Sequence, residues 1–160
     1  MTTTTATTSD PTLKIGDKGA KVKELQELLN KRIPETDTIK VDGDFGVNTQ
    51  AIVRRLQEQF LLKKDGIANP LTWKSIRANA PVDKPVLKRG NKGEQVELVQ
   101  VVIKDGRAGY YKGAIDGDYG IGTEAAVKAF QKDKKLTVDG VIGDKTWKAL
   151  SELATILIYD

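Results

Sequence analysis

The sequence contains no cysteine and no histidine. Without cysteine it can have no disulfide, no Cys-ligated metal and no thiol nucleophile. Without histidine it lacks the usual proton carrier at neutral pH and the commonest metal ligand. A Ser–His–Asp hydrolase or a His-ligated zinc hydrolase therefore cannot be assembled from these residues. We expect a chain that is not an enzyme and that uses no metal and no cofactor.

Strong charge and long apolar runs are also lacking. The 26 basic and 22 acidic residues give a net charge of +4, which predicts at most a mild attraction to anionic polymers. No basic helix face with interleaved aromatic residues is visible, so we expect no nucleic-acid partner. No apolar stretch approaches the length of a membrane span. The threonine-rich start, residues 1–11, has no pattern of a secretory signal and is predicted to be a disordered head.

What the sequence does contain is one pattern written twice. LKIGDKGAKV returns as LKRGNKGEQV, VDGDFGVNTQA as IDGDYGIGTEA, and DGIANPLTWK as DGVIGDKTWK, always at the same offset. Between residues 13–76 and 87–150, 21 of the 64 aligned positions are identical. A constant offset across three blocks indicates a duplicated folding unit. We predict unit one at 12–79, a proline-containing hinge at 80–85 and unit two at 86–160.

Each unit is predicted to form three helices, which makes the chain all-α, with two tandem three-helix bundles. The first helix is expected to begin near Asp17 or Asn91, and β-branched residues predict a weaker or shorter copy in unit two. The second helix follows an Asp-Gly turn. The third begins at Asn69-Pro70, an N-cap followed by proline at the first helical position. In unit two, SELATILIYD is predicted to extend this last helix.

Many of the repeated residues are expected to be structural. The aspartates of the Asp-Gly pairs should bond to nearby backbone N–H groups, and the tryptophans should lie in the core. The repeated glutamines should be buried amides that satisfy loop backbone. These residues are Asp42, Asp65, Asp116, Asp139, Trp73, Trp147, Gln26, Gln57, Gln100 and Gln131.

Both units resemble the peptidoglycan-binding domain family, a small three-helix cell-wall module often fused to amidases, muramidases and carboxypeptidases. Its pattern runs Gly-Asp-x-Gly-x-x-Val, Leu-Gln, Asp-Gly-x-Phe-Gly-x-x-Thr, Ala-Val-x-x-Phe-Gln, Val-Asp-Gly and Thr-Trp. Unit one follows this pattern within Gly16–Gln26, Asp42–Thr49 and Asp65–Trp73. Unit two follows it between Gly90 and Trp147.

The resemblance implies non-catalytic binding of bacterial peptidoglycan, through its glycan strand and stem peptide, by two modules that tether or target a partner to the wall. The resemblance also implies a location at the cell wall, either periplasmic or extracellular. The export route that would bring the protein there is not visible in the sequence. A cytoplasmic or virion-associated location stays open.

The ligand implied by the resemblance is a polymer of amino sugars bearing short peptides with free carboxylates. The N-terminus of the second helix offers N–H donors and a partial positive charge to such a carboxylate. Two loop tyrosines are candidates to lie against a sugar face, and an arginine two turns along the helix is a candidate to pair a carboxylate. The candidate ligand-binding residues are Asp44, Phe45, Asn48, Thr49, Arg54, Tyr110, Tyr111, Asp118, Tyr119 and Thr123. The Asp-x-Asp of this turn lacks the closing carboxylate of a calcium loop, so no metal is expected there.

Two alternatives stay open. The first is a structural or scaffold component of a phage-tail or secretion-type assembly, in which the apolar tail Ala154–Tyr159 contacts a protein partner or a second copy. The second is a small basic nucleic-acid binder, whose affinity would fall steeply with salt.

Overall fold

The structure is a computed structural model, and the residues it describes are 10–105 and 109–159. The chain divides into two compact units between Val82 and Asp83. The described residues form six α-helices and no strand, which confirms the predicted all-α fold with two helical repeats. The helices are α1 (Ala20–Arg32), α2 (Val47–Gln59), α3 (Pro70–Ala78), α4 (Glu94–Lys104), α5 (Ile121–Asp133) and α6 (Asp144–Tyr159), with a short 3-10 helix, Glu35–Asp37, before α2.

The core of unit one is built on the apolar stripe of α1. Val22, Leu25 and Leu29 recur on one helix face, and none of the three has exposed surface. This helix contacts both α2 and α3, whose inward residues include Leu56 and Trp73. Three short helices thus bury one shared apolar centre, which each of them alone would leave in water.

Unit two repeats this arrangement with different side chains. Val96, Val99 and Ile103 form the stripe of α4 and are fully buried, and α4 contacts both α5 and α6. The helix has 11 residues where α1 has 13, which agrees with the prediction of a shorter copy. Of the part of the chain that the structure describes, no helix has the length and apolarity needed to cross a membrane.

The first helix of each unit begins later than predicted. The N-cap positions are Gly19 and Gly93, with φ of +126° and +124°, a backbone region that favours glycine. Asp17 instead accepts a hydrogen bond from the Lys14 N–H at 2.9 Å and closes a turn ahead of the helix. Asn91 does the same for the backbone of unit two.

The third helix of unit one begins as predicted. The Asn69 side chain accepts a hydrogen bond from the Thr72 N–H at 2.9 Å, and Pro70 occupies the first helical turn. In unit two the corresponding α6 has 16 residues against nine in α3. The predicted extension is therefore confirmed as helix to Tyr159.

Each tryptophan holds the segment that precedes its unit. Trp73 Nε1 donates a hydrogen bond to the carbonyl of Pro11 at 2.8 Å, and Trp147 Nε1 donates to that of Pro85 at 2.7 Å. Asp10 accepts two hydrogen bonds from the Arg77 guanidinium, at 2.8 and 3.2 Å. The prediction of disorder is therefore wrong for Asp10 and Pro11, because a tryptophan and an arginine fix them. The rest of the predicted head, residues 1–9, lies outside the described residues.

Candidate functional site

Four copies of one hydrogen-bonded turn organise the two units. Each copy has the sequence Asp-Gly followed by five residues and then threonine, and each closes around a glutamine from the preceding helix. The four sets are Gln26–Asp42–Thr49, Gln57–Asp65–Thr72, Gln100–Asp116–Thr123 and Gln131–Asp139–Thr146. We call each of them a glutamine turn.

In the first glutamine turn the amide of Gln26 uses both of its ends. Its Nε2 lies 3.1 Å from the Asp42 Oδ1, the Asp44 carbonyl and the Thr49 Oγ1. Its Oε1 accepts hydrogen bonds from the N–H groups of Asp42 and Gly43, at 3.0 and 2.9 Å. The amide is 1% exposed, so the loop backbone that it holds depends on protein partners rather than on water.

The aspartates complete the turns from within. Asp42 Oδ1 accepts a hydrogen bond from the Asp44 N–H at 3.0 Å, and Asp139 Oδ1 accepts one from the Val141 N–H at 2.9 Å. These backbone bonds, together with those from Gln26 and Gln131, lower the pKa of both carboxyl groups. Hydrogen bonds to the charged form have that effect. The prediction that the repeated aspartates and glutamines are structural is confirmed.

The first glutamine turn also shapes a small cavity at the N-terminus of α2. Its volume is about 220 Å³, and three predicted site residues line it: Asp44, Asn48 and Thr49. Gly46 is the N-cap of the helix and brings no capping side chain to the first N–H groups. Lys40 also lines the cavity. Asp42 lines it as well, so the opening combines backbone donors and one ammonium group with the carboxylates of Asp42 and Asp44.

Two of the predicted aromatic contacts are wrong. Phe45 and Tyr119 are each 1% exposed, and the Tyr119 hydroxyl donates a hydrogen bond to the Gly140 carbonyl at 2.6 Å. The backbone explains the inward direction, because the N–H of Phe45 bonds to Asp17 and its carbonyl accepts from Gly16. With both backbone groups held on the loop side, the ring packs in the core rather than facing a ligand.

The threonines of the site are also largely internal. Thr49 and Thr123 are 3% and 1% exposed, and their hydroxyls lie against Gln26 and Gln100. A direct ligand contact by Thr123 is therefore a prediction that burial contradicts. Asp118 stays exposed in the corresponding turn of unit two, and its N–H donates to the Asp116 carboxylate at 3.0 Å.

The loop tyrosines do not form a sugar-binding face. Tyr110 donates a hydrogen bond to Asp133 at 2.8 Å and stacks edge-on against Phe130, with ring centres 5.4 Å apart. Tyr111 is 9% exposed, and its hydroxyl donates to the Ala114 carbonyl at 2.7 Å. Both tyrosines pack their own loop, because each hydroxyl and ring already has a protein partner.

Arg54 is exposed but lies at a different turn from the one predicted. A Cβ placed on Gly66 would meet the Arg54 side chain at 3.1 Å, so this arginine covers the second glutamine turn. Its neighbour Arg55 pairs with Asp37 at 2.7 Å. The structure therefore does not bring Arg54 together with Asp44 and Asn48.

One apolar pair was missed by the sequence analysis. Val47 and Ile121 are the first residues of α2 and α5, and they are 69% and 73% exposed. Val47 lines the cavity of unit one. The sequence could have indicated this pair, because in both copies an apolar residue directly follows Phe-Gly or Tyr-Gly. That residue does not belong to the apolar stripe that faces the core.

Comparison with known families gives two matches in this chain. Residues 18–76 and residues 92–150 each match the family described as "Putative peptidoglycan binding domain". Each match contains both glutamine turns of its unit, so the family pattern covers the cavity described above.

Two of the relatives found are enzymes by name. The chain is 33% identical over 169 residues to a probable N-acetylmuramoyl-L-alanine amidase of Bacillus licheniformis, an alignment that covers 91% of this chain and 46% of the amidase. It is 44% identical over 66 residues to a spore cortex-lytic enzyme of Bacillus subtilis, covering 41% of this chain and 21% of that enzyme. The chain thus spans less than half the length of either relative. The crystal structure of the SleB N-terminal domain shares 38% identity, covers 44% of this chain and 93% of its own, and has a TM-score of 0.42.

Proposed function

The chain belongs to the peptidoglycan-binding domain family, and we propose on that basis that it binds bacterial cell-wall peptidoglycan without cleaving it. The observation that carries this proposal is the cavity at the start of α2, with open backbone donors and the exposed Val47. Unit two supports it with Ile121 exposed at the same position of α5.

The cavity combines the contacts that a wall fragment needs. A carboxylate or amide carbonyl of the ligand accepts from the first N–H groups of α2, where the helix dipole adds partial positive charge. Lys40 adds an ammonium group at the same opening, beside the carboxylates of Asp42 and Asp44. Val47 covers an apolar patch of the ligand, such as a methyl group or the face of a sugar ring.

The titration of the turn carboxylates supports binding rather than hydrolysis. A general acid at neutral pH needs a raised pKa. The pKa values of Asp42, Asp116 and Asp139 are lowered instead, first by the N–H groups of Asp44, Asp118 and Val141. These three groups are committed to their turns as charged acceptors and are unsuited to the role of general acid.

Two units on one chain suit a repetitive polymer. Joining two weak sites raises avidity on the order of 10²–10⁴-fold when both engage at once. We propose that the chain associates with the cell wall in this way and targets what is attached to it.

The proposal is tested by sedimentation of the full chain with purified sacculi, beside chitin, an insoluble amino-sugar polymer without peptides. We expect the protein to pellet with sacculi and to leave their turbidity and released muropeptides unchanged. A protein that stays in the supernatant, or one that releases muropeptides by itself, would contradict the proposal.

The scaffold alternative has one observation in its favour. Along α6, Leu153 and Ala154 are buried, and the apolar face continues through Leu157 and Ile158, which are half-buried. Sedimentation equilibrium of the full chain tests this alternative. Assembly into oligomers without binding to sacculi would select it over wall binding.

A further inference from the structure

Unit two contains a groove that the proposed function does not use. Two cavities of about 390 and 320 Å³ share Leu136 and Lys145 and extend from the fourth glutamine turn along α6. Four lysines line them, together with apolar side chains that include Leu136 and Ile156. We call this surface the lysine groove and define it by Lys134, Lys135, Lys145, Lys148, Leu136 and Ile156.

We infer that the lysine groove binds a short peptide with free carboxylates, the stem peptide of peptidoglycan. This inference rests on the proposed function, because it assigns one component of the same polymer to one place in unit two. The inference concerns neither the glycan strand nor the cavity at α2, which is a separate site.

The charge of the groove is the first support. Among residues 10–105 and 109–159, no carboxylate lies within ion-pairing distance of any of the four ammonium groups. Asp139, Asp144 and Glu152 also line the two cavities. Asp139 keeps its charge, but its Oδ1 already accepts bonds from the Val141 N–H and from Gln131, so four ammonium groups face three carboxylates in the groove. Lysines without carboxylate partners in a concave site favour an anionic ligand.

The comparison between the units is the second support. At the offset of the repeat, Phe60, Leu61 and Leu71 stand where unit two has Lys134, Lys135 and Lys145. Phe60 and Leu61 are 1% and 2% exposed, so unit one fills this region with its own core. Unit two thus has three lysines where unit one has apolar residues, and these lysines line its groove.

The mixed lining selects a peptide among anions. Each ammonium is a compact charge with three donors, suited to a single carboxylate. Leu136 is half-buried and Ile156 is 48% exposed, and together they give the groove an apolar floor for the methyl groups of alanine residues. A polyphosphate would use the lysines but would leave this floor uncovered.

The test is a titration of the full chain with a synthetic stem tetrapeptide, followed by methyl NMR at Leu136 and Ile156. The matched ligand is the same peptide with its carboxylates amidated, and sodium polyphosphate is a third ligand. The test variant carries Lys134→Gln, Lys135→Gln and Lys145→Gln. The control variant loses the same charge at Lys23, Lys31 and Lys112, which are exposed lysines outside the groove.

We expect the free-acid peptide to shift the groove methyls, and its Kd to rise about tenfold in the test variant and less than about twofold in the control. Amidation should weaken binding by a similar factor. If the full chain pellets with sacculi while the peptide leaves both methyls unmoved, the inference is wrong and the proposed function stands. If the chain does not pellet with sacculi and the peptide does not shift the methyls, both the inference and the proposed function are wrong. Equal affinity for polyphosphate at the same methyls would overturn the peptide assignment.

Discussion

The side-chain nitrogen of Gln57 lies 3.2 Å from the hydroxyl oxygen of Thr72, and both groups are buried. The same pair of groups recurs at 3.1, 3.0 and 3.2 Å in the other three glutamine turns. Each unit therefore contains the same device twice, once before its second helix and once before its third. This device fixes the loops that carry the cavity, so the proposed binding depends on it although its amides are buried.

Replacing Gln57 by leucine should destabilise unit one by about 2–4 kcal/mol, because the Gly66 N–H, bonded to this amide at 2.9 Å, loses its partner in the interior. Urea denaturation followed by Trp73 fluorescence in a Trp147→Phe background measures this. Glu58→Leu, on the exposed face of the same helix, should change stability by less than about 0.5 kcal/mol. A small effect of Gln57→Leu would mean that water replaces the amide.

Local chemistry explains why these turns could be predicted from the sequence. Asp-Gly pairs and Asn-Pro predict a turn or a helix start from only a few neighbouring residues. The glutamines lie on helices whose apolar residues recur with the helical period, so their helical positions could also be predicted. The direction of Phe45 could not be predicted in this way. It depends on bonds between Phe45 and the distant backbone of Gly16 and Asp17, and no local pattern reports such pairing. The lysine groove also needed the structure, because its lysines come from a loop and a helix that are separated in the sequence.

Replacing Gly43 by alanine should destabilise unit one by about 1–3 kcal/mol. Its φ is +74°, and an added Cβ would lie 3.1 Å from the carbonyl oxygen of Gly19, a backbone atom that cannot rotate away. Gly46→Ala is the matched control, because that glycine has a negative φ of −102° and open space at its Cβ position. Thermal denaturation of both variants measures the difference. Equal losses would show that the backbone at Gly43 relaxes freely.

Lys84 should make the stability of unit two depend on alkaline pH. Burial lowers its pKa from 10.5 to about 8, against an opposing effect of Glu94. Its ammonium lies 4.8 Å from the centre of the Trp147 ring and 2.8 Å from the Gln95 side-chain oxygen. Below about pH 8 the side chain is charged in both folded and unfolded states, so the penalty of burying the charge is complete.

Between about pH 8 and 10.5 the folded state loses this proton while the unfolded state keeps it, so deprotonation favours folding. Relative to Lys84→Met, the wild-type free energy of unfolding should therefore rise by about 1–2 kcal/mol across this range, after allowance for partial exposure. Urea titrations at pH 7, 9 and 10.5 measure it. Lys88→Met, at an exposed lysine, is the control, and a flat difference for Lys84→Met would contradict the expected titration.

Replacing Val47 or Ile121 by aspartate should weaken binding to sacculi by about threefold to tenfold each, and by more in the double variant. Both residues begin a helix, where a carboxylate is compatible with the helix dipole, so folding should be preserved. The new carboxylate would take the position proposed for the carboxylate of the ligand, and the substitution also removes an apolar contact. Val101→Asp is the control, because Val101 is 50% exposed on α4 and does not line the cavity at α2. Sedimentation isotherms measure the affinities, and circular dichroism verifies the fold.

If the control weakened binding as much as the test variants, the effect would be one of net charge. If all three bound like wild type, the cavity at α2 would not be the binding site, whatever the affinity of the chain for the wall.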